Sequence, residues 1–223
     1  MEEGEKRSKM ETIKREFSDI SMELPERMKH ITELYVSIDH ITKDLLRKVY
    51  GNEEIKFPID IERVAQYLHI KVEKEGLNEN GERRFSRILG RILMQKTNIT
   101  IIADNTVGDK TQRYAIAHAI GRYLLSNEED MFESTYAIPL IPQSLDEIVT
   151  DVIALFLLLP TEVFKKEFAD YLGKTEDYPM NVDAWLGYLS DKSMISLFNL
   201  SIGYQQLKQV LGYERQKAFE KSG

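Results

Sequence analysis

The sequence predicts an α+β protein that is mostly helical and carries a small antiparallel sheet. Long stretches repeat apolar residues three or four positions apart, which is the period of a helix buried on one side. A shorter central region instead alternates apolar and polar residues, as half-buried strands do. With 223 residues, of which 42% are hydrophobic, the chain is long enough for one well-buried domain and an appendage.

Composition and charge exclude several classes of protein. No apolar run approaches the roughly 18 residues of a membrane span, and the first residues show no signal-peptide pattern. The chain has no cysteine, which excludes disulfides and thiolate metal sites. A net charge of -7 gives no electrostatic support to general nucleic-acid binding. We therefore expect a cytoplasmic protein without membrane contact, and nucleic acid is not its expected partner.

The first part of the chain is predicted to be helical. Residues 1–24 are rich in charge but place Met10, Ile13, Phe17 and Ile20 at helical spacing, which predicts a helical extension. A longer amphipathic helix follows Pro25 and can end at Gly51. A single domain is expected to cover residues 25–223.

The central part carries a short helix and the strands. Asp60 can cap a helix over Ile61–His69, and the alternating residues Ile70–Lys74 predict a strand directly after it. Two further strands, Ser86–Gln95 and Ile99–Ala103, are expected to form a hairpin.

Residues 113–125 form the helix around which the predicted site is organised. Asp109 can cap its start, and Ser126 can end it. One face is apolar and is predicted to point inward. A second stripe carries small alanines beside polar residues, so we expect it to be uncovered and to form the floor of a site; it consists of Ala115, His118, Ala119 and Arg122.

A second helix, over 144–160, is apolar nearly all round after Thr150 and is predicted to be buried up to Pro160. Glu147 and Asp151 lie one turn apart and share a face of this helix. Glu147 has two interpretations, because Ser144 and Glu147 also have the spacing of a capping box. Asp151 needs a partner, since an unpaired buried carboxylate is costly.

The C-terminal part is predicted to be a series of helices: Thr161–Leu172, Asp183–Ser190, Ser193–Leu200 and Gly203–Leu211. The last two resemble a helix-turn-helix at about 193–212, with Ser201 as a cap and Gly212 as the end. This unit could contact DNA or could pack on the helix at 113–125. From Asp191 onward there are five Lys or Arg against three Asp or Glu, too small an excess to favour DNA.

Three segments resemble the ImmA/IrrE family of zincin-type metallopeptidases. Residues 112–125, Q-R-Y-A-I-A-H-A-I-G-R-Y-L-L, are similar to the family's zinc helix, R-x-R-F-x-x-A-H-E-x-G-H-x-L-L. Residues 60–72 are similar to the opening D-x-x-x-I-A-x-x-L-x-I-x-V. Residues 147–160 are similar to the second signature, E-x-x-A-N-x-F-A-x-x-L-L-M-P. The resemblance spans about Ile31 to Leu211 and implies a zincin-like fold.

The resemblance also implies that the zinc site is degenerate. In H-E-x-x-H both histidines bind zinc, and the glutamate is the general base for the metal-bound water. His118 matches the first histidine, whereas Ala119 stands at the base position and Arg122 at the second ligand. Glu147 matches the third ligand, and Asp151 the position of a group that orients the first histidine.

We therefore expect a catalytically inactive pseudopeptidase that binds a protein or peptide partner, such as a transcriptional regulator, in transcriptional or mobile-element regulation. No cofactor is expected; zinc is the family's metal, and His118 and Glu147 would be its ligands. One alternative is a metal-dependent endopeptidase with an altered site of His118, Glu147 and Asp151. A second alternative is a DNA-binding regulator that uses the C-terminal helices.

One further expectation concerns the charges left in a site without zinc. Two carboxylates one turn apart repel each other, so a positive group should replace the metal. Arg122 is predicted to pair bidentately with Glu147, while His118 hydrogen-bonds Asp151. The alternative is that Arg122 extends to solvent and that Glu147 only caps its helix.

Overall fold

The computed structural model of the chain describes residues 24–77, 87–95, 98–126, 132–138, 145–174 and 181–222. In this part of the chain the helices are α1 (Leu24–Tyr50), α2 (Ile61–Tyr67), α3 (Asp109–Leu125), α4 (Leu145–Leu158), α5 (Thr161–Leu172), α6 (Val182–Ser193) and α7 (Leu197–Ser222). The strands are β1 (Ile70–Glu75), β2 (Arg87–Gln95), β3 (Asn98–Asp104) and β4 (Phe132–Ile138). The protein is therefore α+β and mostly helical, as predicted. Residues 1–23 of the predicted N-terminal extension lie outside the described residues.

The long first helix and the short second helix form where the sequence predicts them. At the end of α1, Gly51 has φ +58, and its N–H donates to the carbonyl of Arg47 at 2.8 Å. A left-handed residue of this kind closes a helix most easily when it is glycine. At the start of α2, the Asp60 carboxylate accepts the N–H of Arg63 at 3.0 Å, which confirms the predicted cap.

The four strands form one mixed sheet in the order β1-β3-β2-β4. Strands β2 and β3 form the predicted hairpin, with Gln95 opposite Asn98. The expectation of an antiparallel sheet is wrong for β1, which runs parallel to β3 with Ile70 opposite Ile99. Alternation along a strand shows which residues are buried, but it does not show which neighbour the strand pairs with.

Strand β4 was not predicted, although its Phe, Thr, Tyr and Ile residues are frequent in strands. It pairs antiparallel with β2 and lies at the opposite end of the sheet from β1. It places Ser134 and Tyr136 next to α3, where they become part of the site.

Helix α3 is buried between the sheet and α4, so the expectation of an uncovered stripe is wrong. Ala115, His118 and Ala119 are all buried. On the sheet side, a Cβ on Gly90 would lie 3.2 Å from the Cβ of Ala115. On the α4 side, a Cβ on Gly121 would lie 2.9 Å from the Thr150 carbonyl oxygen. Small residues on α3 therefore allow close packing on both sides and do not leave a face open.

The sequence predicts the C-terminal end of α3 correctly but not its N-terminal cap. Ser126 is the C-cap, as predicted. At the start the N-cap is Gly108, which has no side chain to donate or accept, so the prediction of Asp109 as the cap is wrong. Gln112 instead donates from Nε2 to the carbonyl of Val107 at 2.6 Å, which ties the first turn to the preceding loop.

Helix α4 is the centre of the core, as its apolar sequence predicts. Its residues from Val152 to Leu158 are all at most 1% exposed, and it packs against α1, α3 and α7. Burial on every side is the arrangement that favours a helix without a polar face. The next helix, α5, starts directly after Pro160.

The C-terminal helices differ from the prediction. Residues 197–212 belong to one continuous helix, α7, while Ser193 is the last residue of α6, so a helix-turn-helix with its turn near Ser201 is wrong. Ser201 does not cap a helix; its hydroxyl donates to the carbonyl of Phe198 at 2.8 Å. Gly203 lies inside α7 against Leu155 and Leu159, and the absence of a side chain there permits this contact.

In the part of the chain that the structure describes, none of the helices is both long enough and apolar enough to cross a membrane.

Candidate functional site

Four side chains from α3, α4 and β4 meet at one point, and we refer to them as the histidine cluster: Tyr114, His118, Tyr136 and Asp151. His118 Nε2 lies 3.6 Å from Asp151 Oδ1. The Tyr114 hydroxyl donates to the same carboxylate oxygen at 3.0 Å. The rings of His118 and Tyr136 are 4.2 Å apart between centroids and tilted by 33°.

The positions of these residues in their elements explain why they meet. Tyr114 and His118 are four residues apart on α3 and therefore point the same way. Gly121, one turn further along α3, lets the backbone of α4 approach closely at Thr150, the residue before Asp151. The cluster is thus positioned by close contact between two helices and covered by Tyr136 from the sheet.

His118 is held in its neutral form. Its side chain is buried, at 7% exposure for the residue, and burial lowers the pKa of His118 to about 3. The nearby Arg122 guanidinium acts in the same direction. A neutral imidazole has one donor and one acceptor nitrogen, so His118 can exchange hydrogen bonds with a ligand but does not supply a charge near neutral pH.

Asp151 has the opposite shift. Burial raises the pKa of the Asp151 carboxyl to about 6, the hydrogen bond from Tyr114 opposes this rise, and the charge of Glu147 adds to it. Burial also raises the pKa of both Tyr114 and Tyr136, so both phenols remain neutral. Asp151 is therefore the group of the histidine cluster that changes charge close to neutral pH.

Arg122 does not make the predicted pair. Its Nε donates to Oγ of Ser134 on β4 at 3.3 Å. Arg122 has no ion pair within 4.0 Å with Glu147 or with Asp151, both of which are among the described residues. Strand β4, absent from the prediction, provides a nearer partner on the other side of α3. The expected salt bridge in place of the metal is therefore wrong.

The expected hydrogen bond between His118 and Asp151 is not formed either. Their Nε2 and Oδ1 atoms are in contact, but their separation of 3.6 Å exceeds the usual range for a hydrogen bond. Tyr114 supplies the bond that Asp151 needs. Glu147 is half-buried one turn before Asp151. Its alternative role in a capping box involves residue 144, which lies outside the described residues.

The donor set does not suit zinc. Zinc sites in proteins use at least three side-chain ligands, of which imidazole, carboxylate and thiolate are the usual ones. Among the residues placed by the structure, no three His, Asp or Glu side chains are arranged to hold a metal ion. His118, Glu147 and Asp151 therefore do not form the altered metal site that was considered. Ala119, at the base position, is buried and carries no group that accepts a proton.

The sequence missed three parts of this site. Tyr114 was not among the predicted site residues, although its hydroxyl bonds to Asp151. Ser134 and Tyr136 were missed with the strand that carries them. The alternation of Ser134 and Tyr136 with exposed Glu133 and Thr135 is the signal that could have identified both.

The fold and the site define an α+β protein with a mixed four-stranded sheet, in which helix α3 carries a neutral histidine beside a carboxylate of helix α4. Comparison of this chain with protein-family models, with curated proteins and with solved structures gave no match. The resemblance to the ImmA/IrrE family thus rests on the three sequence segments.

Proposed function

We propose that this protein is a catalytically inactive relative of the ImmA/IrrE metallopeptidases, with a zincin-like fold, that binds a protein or peptide partner as a regulatory module. Transcriptional or mobile-element regulation is the setting that the resemblance implies. The proposal rests on the motif segments together with the packing around His118.

The observation that carries the proposal is the surroundings of His118. A zinc peptidase needs an open coordination position for water and a base beside it. Here the ring of Tyr136 lies against the imidazole, and Ala119 stands where the base would be. These side chains suit a site that keeps its shape but has lost its chemistry.

Strand β4 supports the part of the proposal that concerns a peptide. Among the described strands, β4 pairs on one side only, with β2, and it runs beside the histidine cluster. The open side of an edge strand can bind an extended peptide through its backbone groups. A partner bound there would lie next to Ser134 and Arg122.

The test is metal analysis and peptidase activity of the purified chain. We expect that the purified protein contains no stoichiometric zinc. We also expect no chelator-sensitive cleavage of peptides. The matched variant combines Ala119→Glu with Arg122→His and so restores H-E-x-x-H. Its zinc content shows whether the site can still take a metal. Chelator-sensitive cleavage by the unchanged chain would refute the proposal.

Neither alternative function gains support. The metal-dependent peptidase needs three ligands that the described residues do not bring together. DNA binding by a helix-turn-helix at 193–212 needs a turn inside what is one helix.

A further inference from the structure

Arg122 is fixed at one nitrogen and open at the other two. Its Nε is bound to Ser134 Oγ, and the residue is half-buried. No hydrogen bond of its η nitrogens to another described residue is found. The guanidinium is thus anchored at Nε, and its η nitrogens remain available as donors.

The arginines in the described β-strands and helices fall into two groups. Four of them have a carboxylate within 4.0 Å: Arg47 with Glu162, Arg63 with Glu53, Arg87 with Asp104, and Arg91 with Glu133. Arg122 belongs to the group without such a neighbour among the described residues, together with Arg215 and with Arg113, which donates to the Ile59 carbonyl at 2.6 Å. Asp151 is instead engaged by Tyr114.

We infer that Arg122 binds a carboxylate of the partner, an inference that rests on the proposed function. The planar guanidinium can offer two parallel N–H groups to the two oxygens of a carboxylate. The bond to Ser134 restrains the side chain before the ligand arrives, which reduces the entropy lost on binding. The carboxylate can come from an Asp or Glu side chain of the partner or from its C-terminus.

The site around Arg122 agrees with this ligand. Ser134 lies on β4, which pairs on one side only among the described strands, and accepts the Arg122 Nε–H at 3.3 Å. Neutral His118, whose pKa is lowered in part by the Arg122 charge, adds no negative charge of its own. A carboxylate is the group of a peptide that a guanidinium binds as a bidentate pair.

The direct test follows the Arg122 Nε–H resonance by NMR during titration with three small probes. N-acetyl-aspartate amide carries a side-chain carboxylate, N-acetyl-alanine carries a terminal carboxylate, and N-acetyl-asparagine amide carries neither. We expect a saturable shift with the first, the second or both, and the responding probe identifies the source of the carboxylate. An equal response to the asparagine probe, or a shift no larger than that of Arg47, would overturn the inference.

Variants provide the second measurement. Arg122→Gln should weaken the binding of the responding probe about tenfold or more, because it removes charge-assisted hydrogen bonds. Arg122→Lys keeps the charge but loses the fork and should weaken binding less. Arg47→Gln, at an exposed arginine paired with Glu162, is the matched control and should have no effect. Thermal unfolding of each variant verifies that it folds.

The outcomes separate this inference from the proposed function. A peptide partner that binds Arg122→Gln as tightly as the unchanged chain would refute the carboxylate inference and leave the proposed function standing. Chelator-sensitive peptidase activity would refute the proposed function. The NMR response of Arg122 to the three probes does not depend on that activity and would still decide whether Arg122 binds a carboxylate.

Discussion

Replacement of Asp151 by Asn is expected to stabilise the protein at neutral and alkaline pH. Asp151 is a carboxyl at the start of the apolar run of α4, with its side chain 23% exposed. Asn has nearly the same shape, and its Oδ1 can still accept the hydroxyl of Tyr114. The substitution therefore removes the charge while it keeps the packing and the hydrogen bond.

The size of the effect follows from the pKa of Asp151, which is raised from 3.8 to about 6. A shift of roughly 2 units corresponds to ~3 kcal/mol between the two protonation states. Because the pKa is raised in the folded state, the folded protein binds this proton more tightly than the unfolded chain. The stabilisation is complete below pH 3.8 and is lost as the pH rises through about 6.

The assay is urea unfolding of Asp151→Asn and of the unchanged chain over a series of pH values. The variant should be more stable by up to ~3 kcal/mol near pH 7.5, and the difference should shrink towards zero near pH 4. Asp170→Asn, at an exposed carboxylate of α5, is the control and should change the free energy of unfolding by less than about 0.5 kcal/mol. A variant that is less stable at pH 7.5, or a difference that does not depend on pH, would refute the reasoning.

Four further substitutions test the packing and the charges, three of them in α3. Gly121→Ala should destabilise by roughly 1–3 kcal/mol in urea unfolding, because its Cβ would meet the Thr150 carbonyl at 2.9 Å. Gly187→Ala, with nothing within 4 Å, should instead stabilise by up to ~1 kcal/mol. Tyr114→Phe leaves the Asp151 carboxylate without its donor and should cost roughly 1–3 kcal/mol above pH 6, less at lower pH. His118→Phe should reduce the loss of stability that accompanies acidification below pH 6.5. Because the pKa of buried His118 is lowered, the folded protein resists protonation that the unfolded chain accepts, and the fall in pH therefore destabilises the unchanged chain. The measurement is Tm as a function of pH, and an unchanged acid profile would contradict the prediction.

The helices and the hairpin could be predicted because they follow from local patterns. The cap at Asp60, the left-handed Gly51 and the apolar run of α4 each depend on residues a few positions apart. The parallel pairing of β1 with β3 could not be predicted in this way, because it joins residues that are distant in sequence. The continuity of α7 is a related case, since Ser201 suggests the cap of a second helix, whereas its hydroxyl bonds to the carbonyl of Phe198 within one helix.

Two members of the histidine cluster, His118 and Asp151, were predicted as site residues, but their contacts were not. His118 and Asp151 do meet, as the spacing within each helix and the order of the motifs suggested. The partner of Arg122 was wrong because a strand that the pattern did not reveal brings Ser134 to it. Charge alone favoured Glu147, but the position of β4 decides which acceptor lies within reach. Electrostatic reasoning from sequence thus fails where one unseen neighbour is nearer than the expected one.

The proposed loss of zinc chemistry is compatible with a stable fold because the described packing does not depend on a metal. Helix α3 is fixed by close contacts with β2 at Gly90 and with α4 at Gly121. Ala119, where the resembled motif has a glutamate, places no charge in this buried position. Arg122 lies further along the helix, where its long side chain reaches Ser134 on β4. The two departures from H-E-x-x-H on which our proposal rests therefore fall where the packing of α3 accommodates them, and the second one supplies the cation that we expect a partner's carboxylate to bind.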